Sequence, residues 1–360
     1  MIEPITTIVR VVGGVDTHKD THTAAALDAT GKLLAHSTFP ASASGYEGLL
    51  QWLHGFGRLE RVGVEWTGSY GSGLAAHLRA KGVDIVEVNR PNRQARRRHG
   101  KSDPADAEAA ARATLSGDAS GVPKSQDGPV EAIRILRLER RSAIYARTQA
   151  ANQIHAIVST APESLRASWR GLSFAVAVAR AARLRNVTAT DAASATQTAL
   201  RGLARRWQQL DREVAVLDQH LAGLVTKTAP ALLALHGVGV DVAGALLVAA
   251  GDNPERLENE ASFAALCGVS PIDASSGRQH RHRLNRGGNR DANRALWVIA
   301  FVRFRSDLRT HAYIEKRKSN GLSKLEILRC LKRYIAREVF KILRAIGPMG
   351  SGKACATTTA

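Results

Sequence analysis

Eight apolar residues, Leu200, Leu203, Trp207, Leu210, Val214, Leu217, Leu221 and Leu224, recur at alternating spacings of three and four. The seam lasts about three and a half heptads, and it leaves the chain few choices. A strand would scatter these side chains over two faces, whereas a helix lines them along one stripe. A long helix is predicted here, either as one member of an intramolecular bundle or as a coiled-coil arm that joins two chains. A second long helix is predicted over 131–158. The N-terminal third has another character. Ile8 to Val15 is rich in β-branched residues and ends at Asp16, while Thr21–Leu27 and Lys32–Phe39 flank the turn sequence Asp28-Ala29-Thr30-Gly31. Short strands over 61–65 and 84–88 alternate with helices over 49–56 and 70–81. Such a pattern predicts a mixed α/β sheet followed by all-α structure.

The expected division is an α/β domain over 8–118, a helical coiled-coil region over 130–228, a helical C-terminal domain over 229–346, and a small, polar, disordered tail over 347–360. Gly117 to Pro129 reads as a polar linker.

Charge narrows the function. The chain carries 51 basic and 32 acidic side chains, a formal net charge of +19. Six basic residues and no acid lie between Arg90 and Lys101, and the stretch from Arg278 to Arg344 carries a net +14. Concentration of this kind predicts a nucleic-acid partner, because each neutralised phosphate releases counterions. Arg93, Arg96, Arg97, Arg98 and Lys101 are the first candidate contacts. A hydrophobic content of 44% excludes a chain disordered throughout. Three cysteines without a CxxC pair argue against a zinc ribbon or a disulfide scaffold. The most apolar stretch, Val242 to Gly251, is half the roughly 20 residues that a membrane span needs. No membrane partner is expected, and the early Glu3 argues against a signal peptide. A cytoplasmic location follows.

Four acids carry the chemistry. Asp16 and Glu65 each close an apolar strand, and Asp103 and Asp106 sit three apart at a helix start, on one face. Gathered carboxylates repel one another unless a cation neutralises them. Two divalent ions bridged by such carboxylates would activate one oxygen and stabilise the leaving oxygen in phosphodiester cleavage, and oxygen ligands suit Mg²⁺. Asp103 as N-cap with Pro104 at the first helical position is the metal-free alternative. Further on, Leu235-His236-Gly237-Val238-Gly239-Val240 reads as a helix-hairpin-helix turn in which Gly237 and Gly239 let the backbone approach a phosphate. Ser275-Ser276-Gly277 then leads into Arg278, Arg283, Arg286, Asn289 and Arg290, which form a phosphate-binding field. A serine beside glycine among guanidinium groups could serve as a phosphoryl-transfer nucleophile, or could be an ordinary turn residue.

GVDTHKD (14–20), VEWTGSYG (64–71) and KSDPADAEAAARA (101–113) resemble the acidic motifs of the DEDD-type insertion-sequence transposases, the family of pilin-gene-inverting and bridge-RNA-guided recombinases. The order of LxGVG, GxxP, Ser-Gly and Gly-Asn-Arg elements after 230 is similar to its C-terminal transposase domain. The resemblance implies a RuvC-like RNase H fold over the first domain, with Asp16, Glu65, Asp103 and Asp106 as Mg²⁺ ligands. It also implies a catalytic serine at Ser276, with Ser275 adjacent, and DNA cleavage and rejoining through a serine–DNA ester. A noncoding guide RNA and a homodimer or tetramer would be the partners. A metal-dependent junction resolvase or nuclease without a serine nucleophile is the enzymatic alternative. A non-catalytic nucleic-acid-binding protein is the other.

Overall fold

A strand buried on both faces must sit in the middle of a sheet, and 11–17 is buried at every position. The computed structural model describes residues 9–88, 102–275 and 282–349. It places β1 (Arg10–Thr17) at the centre of five strands ordered β3-β2-β1-β4-β5. β2 (Thr21–Asp28) and β3 (Leu33–Pro40) form an antiparallel meander with β1, whereas β4 (Arg58–Glu65) and β5 (Asp84–Val88) run parallel to it. The predicted mixed sheet is what forms, and its order is consistent with an RNase H-like domain. The first helix starts earlier than expected: α1 spans Ala43–His54, because Ser42 caps it by accepting the Gly45 N–H. α2 spans Ser72–Ala80.

Side-chain alternation divides the sheet into two faces. Val11, Val15, Val62 and Val64 pack with Leu49, Leu53, Leu74 and Leu78 of α1 and α2. The other face carries Gly14 and Gly63, and α3 (Asp103–Ser116) lies directly on them. A Cβ on Gly14 would stand 2.1 Å from the Ala111 nitrogen, and one on Gly63 would stand 2.0 Å from the Thr114 hydroxyl. Ala107, Ala110 and Ala111 are all fully buried in this contact, so small residues on both sides bring helix and sheet together.

Gly117 to Pro129 is not the loose tether its composition suggested. Gly121 bridges to Glu87 at the edge of β5, and Arg79 donates to the carbonyls of Lys124 and Ser125. Residues 251–258 belong to the same compact unit. There Asn253 accepts the Ser125 N–H and donates to the Pro123 carbonyl, each at 3.0 Å.

The second unit comprises 128–250 and 259–349. Its long helices, α4 (Pro129–Thr160) and α7 (Ala192–Thr228), pack against each other along their length. The ion pairs Arg140–Asp218 and Arg147–Asp211 show that they run antiparallel. Leu200, Val214, Leu217 and Leu221 of the heptad seam are buried, so the seam is in large part satisfied within the chain. α5 (Glu163–Trp169) and α6 (Phe174–Ala182) close one end around Trp169, Val178 and Leu200. The remaining elements are α8 (Pro230–Leu233), α9 (Val240–Ala250), α10 (Glu260–Leu266), the short pair β6 (Ile272–Asp273) and β7 (His282–Arg283), α11 (Arg290–Ser306), α12 (Leu308–Ser319) and α13 (Lys324–Ile346). Among the described residues no helix is long and apolar enough to cross a membrane.

Candidate metal centre and nucleic-acid surface

Strand register decides which acids can meet. Val15 pairs with Val64 in the parallel β1–β4 ladder, so the next residues, Asp16 and Glu65, stand side by side at the strand ends. The Thr17 hydroxyl donates to the Glu65 carbonyl at 3.0 Å and ties the two ends together. Asp16 lies on the same face as Gly14, and Glu65 on the same face as Gly63. Two residues along a strand advance about 6.6 Å, close to the 5.4 Å of one helical turn. One turn before Ala107, which touches Gly14, comes Asp103, and one turn before Ala110, which touches Gly63, comes Asp106. Each helix acid is thereby carried toward one strand acid.

Asp16 is 6% exposed, Glu65 2% and Asp106 3%, while Asp103 is exposed. One carboxylate oxygen each of Asp16 and Asp103 and a ring nitrogen of His18 lie within 4.8 Å of one another. His18 Nδ1 is 3.6 Å from Asp16 and 3.9 Å from Asp103. His18 follows the first acid by two residues, in the run Thr17-His18-Lys19-Asp20. Two carboxylates and an imidazole at this spacing are compatible with a divalent cation, which would satisfy both acids at once. Asp103 is free for this because it is not the N-cap. Ser102 holds that position in extended backbone, with Pro104 in the first turn, so the metal-free capping role is removed from Asp103.

After Glu65 the chain turns sharply. Trp66 has φ of +53°, a left-handed backbone that a bulky residue rarely adopts, and its ring is exposed. Gly71 then packs so closely that a Cβ would stand 2.7 Å from the Glu65 carbonyl.

In the C-terminal region the predicted residues divide. Gly237 adopts φ of +83° in the turn between α8 and α9, and a Cβ there would press on Val302 of α11. Gly239 faces open space. Asn289 is the N-cap of α11 and accepts the Ala292 N–H, while its own N–H donates to the Leu266 carbonyl. Gly288 approaches Gly268 so closely that a Cβ would lie 2.5 Å from its nitrogen. The Gly-Gly-Asn element thus knits α11 to the turn after α10. Asn293 continues the knot, donating to the carbonyls of Cys267 and Gly268 and accepting from the buried Lys332. Arg283, Arg286 and Arg290 are exposed.

Ser275 donates to Asp273 Oδ1 at 2.6 Å, and His282 lies 3.8 Å from the same carboxylate. The serine hydrogen bond, helped by His282, holds the Asp273 carboxyl below its ordinary pKa. Ser276 and Arg278 lie outside the described residues, as do Arg93, Arg96, Arg97, Arg98 and Lys101.

A strand-end acidic cluster compatible with a divalent cation lies on the mixed sheet, and the same chain carries a strongly basic helical unit. Comparison with known proteins relates this combination to transposases. Residues 13–161 match a family profile described as a transposase, and residues 229–315 match that of the IS116/IS110/IS902 transposase family. The chain is 26% identical over 365 aligned positions to the Streptomyces coelicolor mini-circle protein of IS117, a transposase by name, which covers 86% of this chain and 87% of that one. It is also 33% identical over 116 residues to the insertion element IS110 43.6 kDa protein of Streptomyces coelicolor, across 32% of this chain and 28% of that one. Two transposase profiles thus match two successive stretches of the chain.

Proposed function

We propose that this protein is the transposase of an insertion sequence, and that it cleaves and rejoins DNA. The observation that carries the reading is the convergence of Asp16, His18 and Asp103 within 4.8 Å, at the edge shared with Glu65, in a chain that matches both transposase profiles. Asp16, Glu65, Asp103 and Asp106 would hold the metal, with Mg²⁺ as the proposed ion. When bound, such an ion lends positive charge to a scissile phosphate and to the oxygen leaving it. The chain's own contribution is to hold the carboxylates in place, through the glycine-backed packing of α3 on the sheet.

Ser276 is the proposed nucleophile. Its Oγ–P bond would form as one P–O ester bond of the DNA backbone breaks, the serine proton passing to the departing oxygen. The ester conserves the bond energy, so rejoining by the reverse reaction needs no ATP. Arg278, Arg283, Arg286 and Arg290 would face the phosphate charge. A noncoding guide RNA that pairs with the DNA, and assembly as a homodimer or tetramer, complete the proposal. The basic stretches support a polyanionic partner of either kind.

A nicked suicide DNA substrate tests this. We expect a protein–DNA adduct that survives denaturation, disappears in Ser276→Ala and fails to form in Asp16→Asn. Nicking that depends on a divalent ion but leaves no adduct would favour a resolvase. Sequencing RNA that co-purifies with the protein tests the guide.

A further inference from the structure

The exposed face of α11 has a composition that its fold does not need. Arg290, Arg294, Trp297, Phe301 and Arg305 fall within an arc of about 80° on the helix. The opposite face buries Ala292, Ala295, Leu296, Ile299 and Ala300, so the helix is already anchored without them. Trp297 is nevertheless 44% exposed and Phe301 38%. Their rings stack on each other with centroids 5.1 Å apart and planes inclined by 15°. The Arg305 guanidinium lies over the Phe301 ring, 5.8 Å from its centroid. Trp297, Phe301 and Arg305 thus form one aromatic and cationic group along the helix, with Trp297 the ring nearer to Arg290 and Arg294 in the chain.

Trp297 borders a cleft of about 360 Å³, whose wall also includes Arg286, Arg290 and Arg294. Among the described residues none of these three arginines has a carboxylate partner. Asp291, the acid nearest in sequence, is engaged by Arg141 at 3.3 Å. A flat aromatic face beside uncompensated guanidinium groups is complementary to a base with its flanking phosphates. In a duplex the base faces are already stacked on their neighbours, so the ring can reach a base face only where the strand is unpaired.

We infer that this cleft is a slot for an unpaired nucleotide of a DNA strand, stacked on Trp297 with its phosphates against Arg286, Arg290 and Arg294. The inference rests on the proposed DNA chemistry, in which strands must part to be exchanged, and it deepens that reading by naming the form of DNA held. Phe301 and Arg305 act as positioning residues that brace the Trp297 ring.

The test uses the full chain with fluorescently labelled single-stranded oligothymidylate and with a duplex of equal length, at one fixed salt concentration. Trp297→Ala is expected to weaken single-strand binding by about 10- to 100-fold while duplex binding changes by less than about threefold. Trp297→Phe keeps a stacking face and should restore most of the affinity, and it should abolish most of the quenching of protein fluorescence by the oligonucleotide. Arg294→Ala, a milder surface change, should lower single-strand affinity and reduce its log–log salt slope by about 0.7. Equal weakening for both DNA forms, or no weakening in either, overturns the slot. A defect confined to single-stranded RNA of the same length overturns the assignment to DNA. If the native chain binds neither DNA form, the proposed transposase reading falls with it; if DNA binding is intact and indifferent to Trp297, only the slot falls.

Discussion

At the scale of single residues, His18 and Trp66 are where the structure adds most. His18 would add a nitrogen to a candidate site otherwise built of oxygen, and so shift its preference toward ions that accept imidazole. His18→Ala should weaken Mn²⁺ binding about tenfold, measured by calorimetry on the otherwise intact protein, and Mg²⁺ binding by less. Equal effects on the two ions would take the imidazole out of the coordination shell. Trp66 holds a left-handed backbone at the end of the strand that carries Glu65. Strain of this kind costs of order 1–3 kcal/mol. Trp66→Gly should therefore raise the free energy of unfolding by about 1 kcal/mol, once glycine's own entropy is offset, as read from urea midpoints. Neither residue announces itself in the sequence. A histidine after a strand is ordinary, and backbone strain leaves no compositional trace.

At the scale of elements, the register of α3 on the sheet governs the candidate site. Gly14 and Gly63 look in the sequence like unremarkable small residues of two strands, yet any side chain there would collide with helix backbone or with Thr114. Gly14→Ala should destabilise the protein by about 3 kcal/mol through overpacking and should lower metal affinity in the fraction that stays folded. Metal binding unchanged in a folded Gly14→Ala protein would show that the α3 distance does not matter. The heptad seam illustrates the opposite case. Its helix was legible from spacing alone, but spacing could not say what covers it. Leu217 is buried within the chain, so Leu217→Ala is expected to cost about 2–4 kcal/mol in unfolding free energy, whether or not chains associate. Leu210 is only partly buried, so Leu210→Glu isolates self-association, to be read as a change of mass in sedimentation.

At the scale of the whole molecule, charge predicts salt dependence. Every arginine that neutralises a duplex phosphate should add about 0.9 to the log–log slope of DNA affinity against salt. Replacing Arg93, Arg96, Arg97 and Arg98 together by alanine should flatten the slope accordingly, measured by anisotropy over a salt series; an unchanged slope would place those residues away from the DNA backbone.

The sequence by itself determined the strands, the long helices and the mixed sheet, and nominated four candidate acids, because periodicity and motif order are written one residue after another. It also located the arginine-rich stretches. What only the tertiary structure decided was which acids share an edge, that His18 joins Asp16 and Asp103, that Asn289 is engaged as a helix cap, and that Trp297 looks outward among arginines. Those facts depend on the register between strands and on the depth to which a helix can settle on a sheet. Both are set by contacts between residues far apart in the chain, where local patterning carries no information.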